Sequence, residues 1–274
     1  MLLFKTTWSN NMAKGIPYIN QLAAQGGFFF TTCDLIQQFA MTTTAANALL
    51  RRLKAKHEIA TPYPGFHLII PPEFRVLGCL PAEQFIPALM CYLNIPYYVG
   101  LLSAAAFYGI TQPALSTLQI IVPDNRNTIH CGNLNIEFIA RNNLQNLPIK
   151  KFPTSKGTIN VATAELTALD LVNSPSQSEG LTKVLRLLKE LTPSLSKQAL
   201  VNLTKLVPYT PPLQRLGFFL EAINQEELAQ IVEQELLHRK MKKRLLVSKI
   251  KVPSKATVNS RWKIIINKTW GQEL

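Results

Sequence analysis

The chain has 274 residues, of which 47% are hydrophobic and 16% are charged, and its formal net charge is +13. This composition excludes a largely disordered chain, and the length favours two domains that each bury a core of their own. The excess of positive charge makes a polyanion the first partner to consider.

The first elements in chain order are three short helices. Apolar residues recur at helical spacing from Lys14 to Ala24, where two glycines end the first helix. Thr31 or Thr32 can cap a second helix that ends near Ala40, and Thr42 can cap a third that runs to about Lys56. The third helix turns four apolar residues inward, namely Ala46, Leu49, Leu50 and Leu53. Together the helices predict a helix-turn-helix core.

Two short β-prone runs follow the helices, at residues 57–60 and 66–70. The linker between them is rich in turn-forming residues and ends in Gly65, which is typical of a two-stranded wing. Pro71 and Pro72 close the unit. We therefore predict a winged helix-turn-helix DNA-binding domain over residues 1–80, with its boundary between residues 73 and 81.

The outward face of the third helix carries side chains suited to reading a duplex. Arg51 can pair with guanine and Asn47 with adenine, while Ala48 and Thr44 can touch a thymine methyl group. Arg52 is either a backbone contact or a solvated side chain, and in the wing Tyr63 and His67 lie either against a groove or in ordinary packing and surface positions. The predicted DNA-binding residues are Thr43, Thr44, Asn47, Ala48, Arg51, Arg52, Lys54, Tyr63 and His67.

The remainder, residues 81–274, has the pattern of a larger mixed domain, so that the fold class is α+β. Leu118 to Val122 and Leu134 to Ile139 are β-branched runs joined by a polar turn. The helix from Leu181 to Leu191 is clearly amphipathic. The other predicted elements are helices at 82–93, 97–108, 162–172, 195–207 and 224–237, and a final strand at 262–266.

The positive charge is concentrated at the end of the chain. Eleven basic side chains and a single acidic one, Glu273, lie between Arg239 and the C-terminus. A charge run is often a solvated face, but this one is nearly uncompensated, which favours promoter DNA or an RNA as its counterpart. The predicted basic surface comprises Arg239, Lys240, Lys242, Lys243, Arg244, Lys249 and Lys251.

An enzyme is the main competing class, and its strongest sign is a nuclease-like pair of carboxylates, Asp124 and Glu137. Ile139 occupies the position where the activating lysine of such a site belongs, so an ordinary turn Asp and strand Glu explain the pair better. The sequence contains no P-loop, GxGxxG or HExxH. We predict a protein that is not an enzyme and needs no cofactor or metal.

Four separated cysteines, Cys33, Cys79, Cys91 and Cys131, form no CxxC motif, which predicts reduced thiols and neither a zinc site nor a redox pair. The first four residues are apolar but too few for a signal peptide, and the longest apolar run is shorter than the roughly 20 residues of a membrane span. We expect a cytoplasmic protein with no membrane partner.

Several segments resemble one family, the AbiEi antitoxins of type IV (abortive-infection) toxin-antitoxin systems. The similar stretches are 64–74, which includes Pro64-Gly65-Phe66-His67, then 97–105 (YYVGLLSAA), 160–172 (NVATAELTALDLV) and 259–267 (NSRWKIIIN). Two positions depart from the family pattern: Ala164, where a proline commonly precedes the Glu, and Tyr108, where a histidine often precedes the Gly.

The resemblance implies two activities. One is repression of the protein's own promoter by binding inverted repeats, and the other is counteraction of an adjacent nucleotidyltransferase-like toxin without a stable complex. The alternatives are a plain winged-helix transcription factor, whose second domain senses a ligand or mediates dimerisation, and the metal-dependent nuclease. Glu165, Thr167 and Asp170, in the third similar stretch, are expected to be capping and surface residues of a helix.

Overall fold

The computed structural model describes residues 15–110, 117–248, 250–254 and 256–269. The described residues form two compact units. One comprises 15–97, 117–140 and 153–159, and the other 98–110, 141–152 and 160–269. Helices and strands occur in both, which confirms the mixed composition that the sequence predicts. The chain passes from one unit to the other more than once, whereas the sequence predicts one boundary near residue 80.

Three helices open the first unit: α1 (Gly15–Ala24), α2 (Thr32–Phe39) and α3 (Thr43–Ala55). Thr31 and Asp34 form a capping box at the start of α2, in which the Thr31 hydroxyl accepts from the Asp34 amide at 3.2 Å and the Asp34 carboxylate accepts from the Thr31 amide at 2.7 Å. The Thr42 hydroxyl caps α3 by accepting from the Ala45 amide at 3.3 Å. The two predicted threonine caps are thus present.

The inward face of α3 is the predicted one. Its buried residues are Ala46, Leu49, Leu50 and Leu53. They belong to one hydrophobic core with residues of every neighbouring element, namely Ile19, Phe30, Leu35, Met41, Ile59 and Ile69. Burial of this stripe leaves the opposite face of α3 to the solvent.

A three-stranded antiparallel sheet accompanies the helices. The strands are β1 (Phe29–Thr31), β2 (Ile59–Tyr63) and β3 (Phe66–Ile69), in the order β1-β3-β2. The hairpin corresponds to the predicted wing, with β2 longer than expected at its C-terminal end. β2 has an irregular register between Ala60 and Tyr63, where Pro62 has no amide hydrogen to donate. Strand β1 is not predicted, since three residues show no alternation and only its pairing with β3 defines it.

The rest of the first unit contains a 3₁₀ turn at Pro72–Phe74, helix α4 (Ala82–Tyr92) and three strands. The strands are β5 (Thr117–Val122), β6 (Ile129–Cys131) and β7 (Leu134–Ala140), numbered with β4 of the second unit in chain order. β5 and β7 are parallel and β6 is antiparallel to β7. A single polar turn between the two predicted strands is therefore wrong, because β6 intervenes and reverses the chain.

The second unit begins with β4 (Tyr98–Val99) and α5 (Leu101–Ala106), so the continuous helix predicted over 97–108 is wrong. Val99 pairs in parallel with Val161 of β9 (Gly157–Ala162), which fixes this apolar segment as a strand. β8 (Ile149–Thr154) is hydrogen-bonded to β9, and neither strand is predicted.

Five helices follow: α6 (Ala164–Asn173), α7 (Leu181–Leu191), α8 (Lys197–Leu206), α9 (Thr210–Ala222) and α10 (Glu226–Leu237). A 3₁₀ turn, Thr192–Ser194, lies between α7 and α8. Helix α9 is absent from the prediction, because its buried face includes Gln214 and Gly217 and therefore lacks a clear apolar stripe. The bounds of α7 agree with the prediction.

Helix α6 is buried along nearly all of its length, which corrects one expectation. Glu165, Thr167 and Asp170 are buried rather than at the surface, and Thr163 caps the helix instead. The Glu165 carboxylate accepts a hydrogen bond from the Ser196 amide at 2.7 Å. Glu165 therefore holds the segment that precedes α8 against α6.

The chain ends in a small sheet of β10 (Arg244–Leu245), β11 (Thr257–Asn259) and β12 (Ile264–Ile266), in the order β10-β12-β11. Trp262 is buried so closely against Gly217 of α9 that a β-carbon there would lie 2.1 Å from the indole ring. Across the described ranges, no helix is both long and apolar enough to cross a membrane.

Candidate nucleic-acid interface

The outward face of α3 is polar and accessible. Thr43, Thr44, Asn47 and Arg51 are exposed, and Ala48 is half-buried. Arg52 and Lys54, in the last turns of the helix, are also exposed. The face therefore combines an amide, methyl groups and cations on one rigid helix, which is the chemistry that base edges and phosphates require.

Two acidic residues close to α3 in the sequence, Asp34 and Glu58, form hydrogen bonds with residues other than the cations of α3. Asp34 is held in the capping box with Thr31, and Glu58 accepts two hydrogen bonds from Arg75 at 3.1 and 3.2 Å. In the part of the chain that the structure describes, neither Arg51 nor Lys54 forms an ion pair. Their positive charge is thus available to a polyanion.

His67 is not at the surface, which corrects its expected contact with a groove. Its side chain is 3% exposed and bridges two hydroxyl groups, with Nε2 2.9 Å from Thr32 Oγ1 and Nδ1 2.8 Å from Thr61 Oγ1. Burial and the nearby positive charge of Lys54 lower the pKa of His67 to about 4. Neutral His67 joins α2 to the wing, and neither ring nitrogen is left for DNA.

Tyr63 lies at the end of β2 and is half-buried. The tip of the wing beside it packs on α4, where the Phe66 and Tyr92 rings are 5.4 Å apart. A β-carbon at Gly65 would lie 2.7 Å from the Tyr92 hydroxyl, and φ there is +80°. Tyr63 thus stays a candidate contact on a hairpin whose tip is fixed by packing.

The basic segment of the second unit is fastened to α9. Gln214 donates to the carbonyl of Lys242 at 2.9 Å, and Arg215 donates to the carbonyls of Leu245 and Leu246. Backbone anchoring of this kind leaves the cationic side chains outward. Exposed among the predicted residues are Lys240, Lys242, Lys243, Arg244 and Lys251, while Lys249 lies outside the described residues.

Two arginines of the terminal charge run have structural roles instead. Arg239 is paired with Glu235 at 2.7 Å and donates to the carbonyls of Thr204 and Val207. Its predicted place in the basic surface is therefore wrong. Arg261 is paired with three carboxylates, at distances between 2.7 and 3.3 Å, from Glu221, Glu226 and Glu233. Glu235 is only four residues from Arg239, whereas the partners of Arg261 lie on α9 and α10, at least 28 residues away, so a charge count confined to the terminal segment overstates its free charge.

Asp124 and Glu137 are the two carboxylates whose spacing suggests a nuclease. Glu137 lies on β7, and its carboxylate accepts from the Gln119 amide at 3.2 Å on the parallel neighbour β5. Asp124 lies in the bend that follows β5. Among the described residues, no three His, Cys, Asp or Glu side chains are grouped as metal ligands would be.

A buried polar cluster in the second unit escapes prediction altogether. The Tyr98 hydroxyl donates to Asp170 at 2.9 Å, and Arg141 donates to both the Tyr98 hydroxyl and the Asp170 carboxylate. The three residues belong to β4, to the segment after β7 and to α6. Only their conservation in an alignment would reveal such a cluster beforehand, since no local pattern connects them.

Residues 98–222 match the family model of the AbiEi antitoxin C-terminal domain. The crystal structure of the RV2827C protein from Mycobacterium tuberculosis is similar to the chain with a TM-score of 0.62 and 15% identity, over 94% of this chain and 91% of that chain. At this level of identity, the similarity shows a shared fold and says nothing about function. The crystal structure of an antigenic nucleotidyltransferase-like protein from Paracoccidioides brasiliensis aligns with a TM-score of 0.37 and 12% identity, over 56% of this chain and 90% of that chain.

No curated protein sequence matches the chain. Of the four stretches that resemble AbiEi antitoxins, the match includes 160–172 and nearly all of 97–105, whereas 64–74 and 259–267 lie outside it. The resemblance to AbiEi antitoxins is confirmed over residues 98–222, which match the model of the AbiEi antitoxin C-terminal domain.

Proposed function

We propose that the protein is a DNA-binding antitoxin that represses its own toxin-antitoxin operon and counteracts an adjacent nucleotidyltransferase-like toxin. The observation that carries the first activity is the two-faced α3, whose apolar side is locked into the core while Asn47 and Arg51 face the solvent. A winged helix-turn-helix over residues 1–80 presents such a helix to the major groove.

In this proposal α3 reads inverted repeats in the promoter. Asn47 and Arg51 contact base edges, Thr44 and Ala48 touch thymine methyl groups, and Thr43, Arg52 and Lys54 hold phosphates. Tyr63 contributes from the wing. His67 has a different role, because its imidazole keeps α2 and β3 in register behind the reading face.

The second activity is supported by the AbiEi antitoxin C-terminal domain. In this proposal, counteraction without a stable complex proceeds through a ligand that the two proteins share or compete for. The exposed cations from Lys240 to Arg244 suit a nucleic acid, either the promoter or an RNA on which the toxin acts. We infer a cytoplasmic regulator rather than an enzyme, acting without a cofactor.

Two measurements test the proposal. A mobility-shift titration compares a duplex carrying the promoter's inverted repeat with a scrambled duplex of equal length, and we expect tighter binding of the repeat. A growth assay expresses the neighbouring toxin gene with and without this protein, and we expect rescue only when it is present. Repeat-specific binding without rescue would favour a plain transcription factor, and metal-dependent cleavage of the duplex would favour a nuclease.

A further inference from the structure

Two cysteines that are 52 residues apart in the sequence meet in the interior of the first unit. The sulfur atoms of Cys79 and Cys131 are 2.7 Å apart, and the side chains are 0% and 5% exposed. The other two cysteines, Cys33 and Cys91, are exposed. The sequence predicts no redox pair because it contains no CxxC motif, whereas the fold brings these two free thiols together.

The two backbones that carry the sulfurs are held together at the same place. The Asn133 amide donates to the Leu77 carbonyl at 2.9 Å. A β-carbon at Gly132 would lie 2.2 Å from that carbonyl oxygen, so only glycine allows the approach. The turn between β6 and β7 is thus clamped to the segment that precedes Cys79. Since the backbones already touch, a bond of about 2.05 Å between the sulfurs needs little movement.

The environment also distinguishes the two thiols. A hydrogen bond from Cys79 and the nearby charge of Lys54 lower the pKa of the Cys131 thiol, although burial acts in the opposite direction. The thiolate is the nucleophile in cysteine oxidation. Cys131 is also the less completely buried of the two. A small oxidant therefore meets Cys131 first, with Cys79 placed behind it as the resolving thiol.

We propose that Cys79 and Cys131 are an oxidative modification site, at which a hydroperoxide converts the two thiols into an intramolecular disulfide. The Cys131 sulfur attacks a peroxide oxygen, which breaks the O–O bond and gives a sulfenic acid and water. The Cys79 sulfur then attacks the Cys131 sulfur, which forms the S–S bond, breaks the S–O bond and releases a second water. Two thiols are oxidised by two electrons in total, and one hydrogen peroxide is reduced.

The disulfide would link the segment that follows the wing to the β6–β7 turn. Both segments lie in the first unit, which also contains the helices and the wing that we propose bind DNA. A covalent link there would restrict the motion of these two segments relative to each other. The modification itself does not depend on that function, because it rests only on the two sulfurs and the clamped backbones. Its test is therefore independent of DNA binding and of toxin counteraction.

The experiment uses the full-length chain with the exposed cysteines replaced, Cys33→Ser and Cys91→Ser, so that only the buried pair can react. The folded protein is treated with hydrogen peroxide, quenched, unfolded and alkylated. We expect loss of two hydrogens in the intact mass, no alkylation, and a single crosslinked peptide pair containing Cys79 and Cys131. Dithiothreitol should restore both alkylation sites.

A matched control carries the additional change Cys79→Ser, which removes the resolving thiol but keeps the size of the side chain. It should stop at the sulfenic acid of Cys131, detectable with a dimedone probe, or pass on to the sulfinic acid. Three outcomes in the peroxide-treated protein that retains both buried cysteines would overturn the proposal. They are two thiols that are still free, a sulfinic acid with no crosslink, and a crosslink that forms only between molecules.

Discussion

The Arg141 guanidinium forms an ion pair with the buried Asp170 carboxylate of α6, and the Tyr98 hydroxyl bonds to both. Removal of one partner leaves a buried charge without compensation, so we expect Asp170→Ala to lower the free energy of unfolding by about 3 to 5 kcal/mol. Asp170→Asn, which keeps two hydrogen-bonding atoms in place, should cost less. Urea denaturation followed by circular dichroism measures both.

The exposed pair Arg186 and Glu190 on α7 provides the matched control for this prediction. Their charged atoms are 3.8 Å apart and both side chains are about half exposed. Glu190→Ala should change stability by at most about 0.5 kcal/mol. Equal losses from Asp170→Ala and Glu190→Ala would contradict a structural role for the buried cluster.

Base reading is predicted to depend on two residues of α3. Asn47→Ala or Arg51→Ala should reduce the preference for the inverted repeat over a random duplex by about 1 to 3 kcal/mol, since each removes a bidentate contact to a base. Competition binding with both duplexes measures the preference. Lys189→Ala, an exposed lysine on α7, serves as the control. Unaltered discrimination in both α3 variants would show that α3 is not the reading helix.

Phosphate contacts should appear in the salt dependence. Each neutralised phosphate releases condensed counterions, so the logarithm of the binding constant should fall with the logarithm of salt concentration by about 0.9 per contact. Lys54→Ala should weaken all sequences alike and lower that slope by about 1. Fluorescence anisotropy over a range of salt concentrations provides the slope. A flat dependence for the unaltered protein would remove nucleic acid as its partner.

His67 should make the protein less stable in acid. Its pKa is about 4 in the fold, against an ordinary value of 6.5, so the unfolded state binds the proton first as pH falls. The stabilisation is fully present above about pH 6.5 and is lost as pH falls towards 4. Between pH 7 and pH 5 this amounts to about 2 kcal/mol.

Denaturant titrations at the two pH values, with the unaltered protein and His67→Gln, measure this contribution. The variant should have a smaller loss of stability between pH 7 and pH 5, although its stability at pH 7 is lower because burial of an amide between Thr32 and Thr61 is imperfect. His238→Gln, at an exposed position after α10, controls for the loss of a histidine. An identical pH dependence in the unaltered protein and His67→Gln would contradict the assignment.

Protection from the toxin is predicted to depend on the basic segment fastened to α9. Replacement of Lys240, Lys242, Lys243 and Arg244 together by glutamine should impair protection, because these exposed cations form the dense positive surface available to a polyanion. The control replaces Thr182, Arg186, Lys189 and Glu190, four exposed residues of α7. Growth with an inducible toxin and blotting for antitoxin level measure the effect. Full protection by the first variant would show that the segment has another role.

Local patterns predict much of the candidate site. The spacing of Leu49, Leu50 and Leu53 gives the buried side of α3 and hence its outward side, and Thr42 marks where the helix begins. These features depend on residues within one or two helical turns of each other. The amphipathic α7 is predictable for the same reason.

Side chains whose environment is made by distant segments are not predictable in this way. His67 is polar and lies in a wing strand, yet Thr32 and the core bury it. Arg261 looks like a free charge until carboxylates of α9 and α10 pair with it. Whether a charge is available to a ligand is therefore decided by folding.

The sequence by itself determined the three N-terminal helices, the polar face of α3, the positive terminus and the likeness to AbiEi antitoxins, because each depends on residues that are neighbours in the chain. Only the tertiary structure decided that β5 and β7 are parallel, that Tyr98, Arg141 and Asp170 share a buried cluster, and that the sulfurs of Cys79 and Cys131 meet. Such pairings join segments that are far apart along the chain, and their stability comes from burial and hydrogen bonds that exist only once the segments have packed.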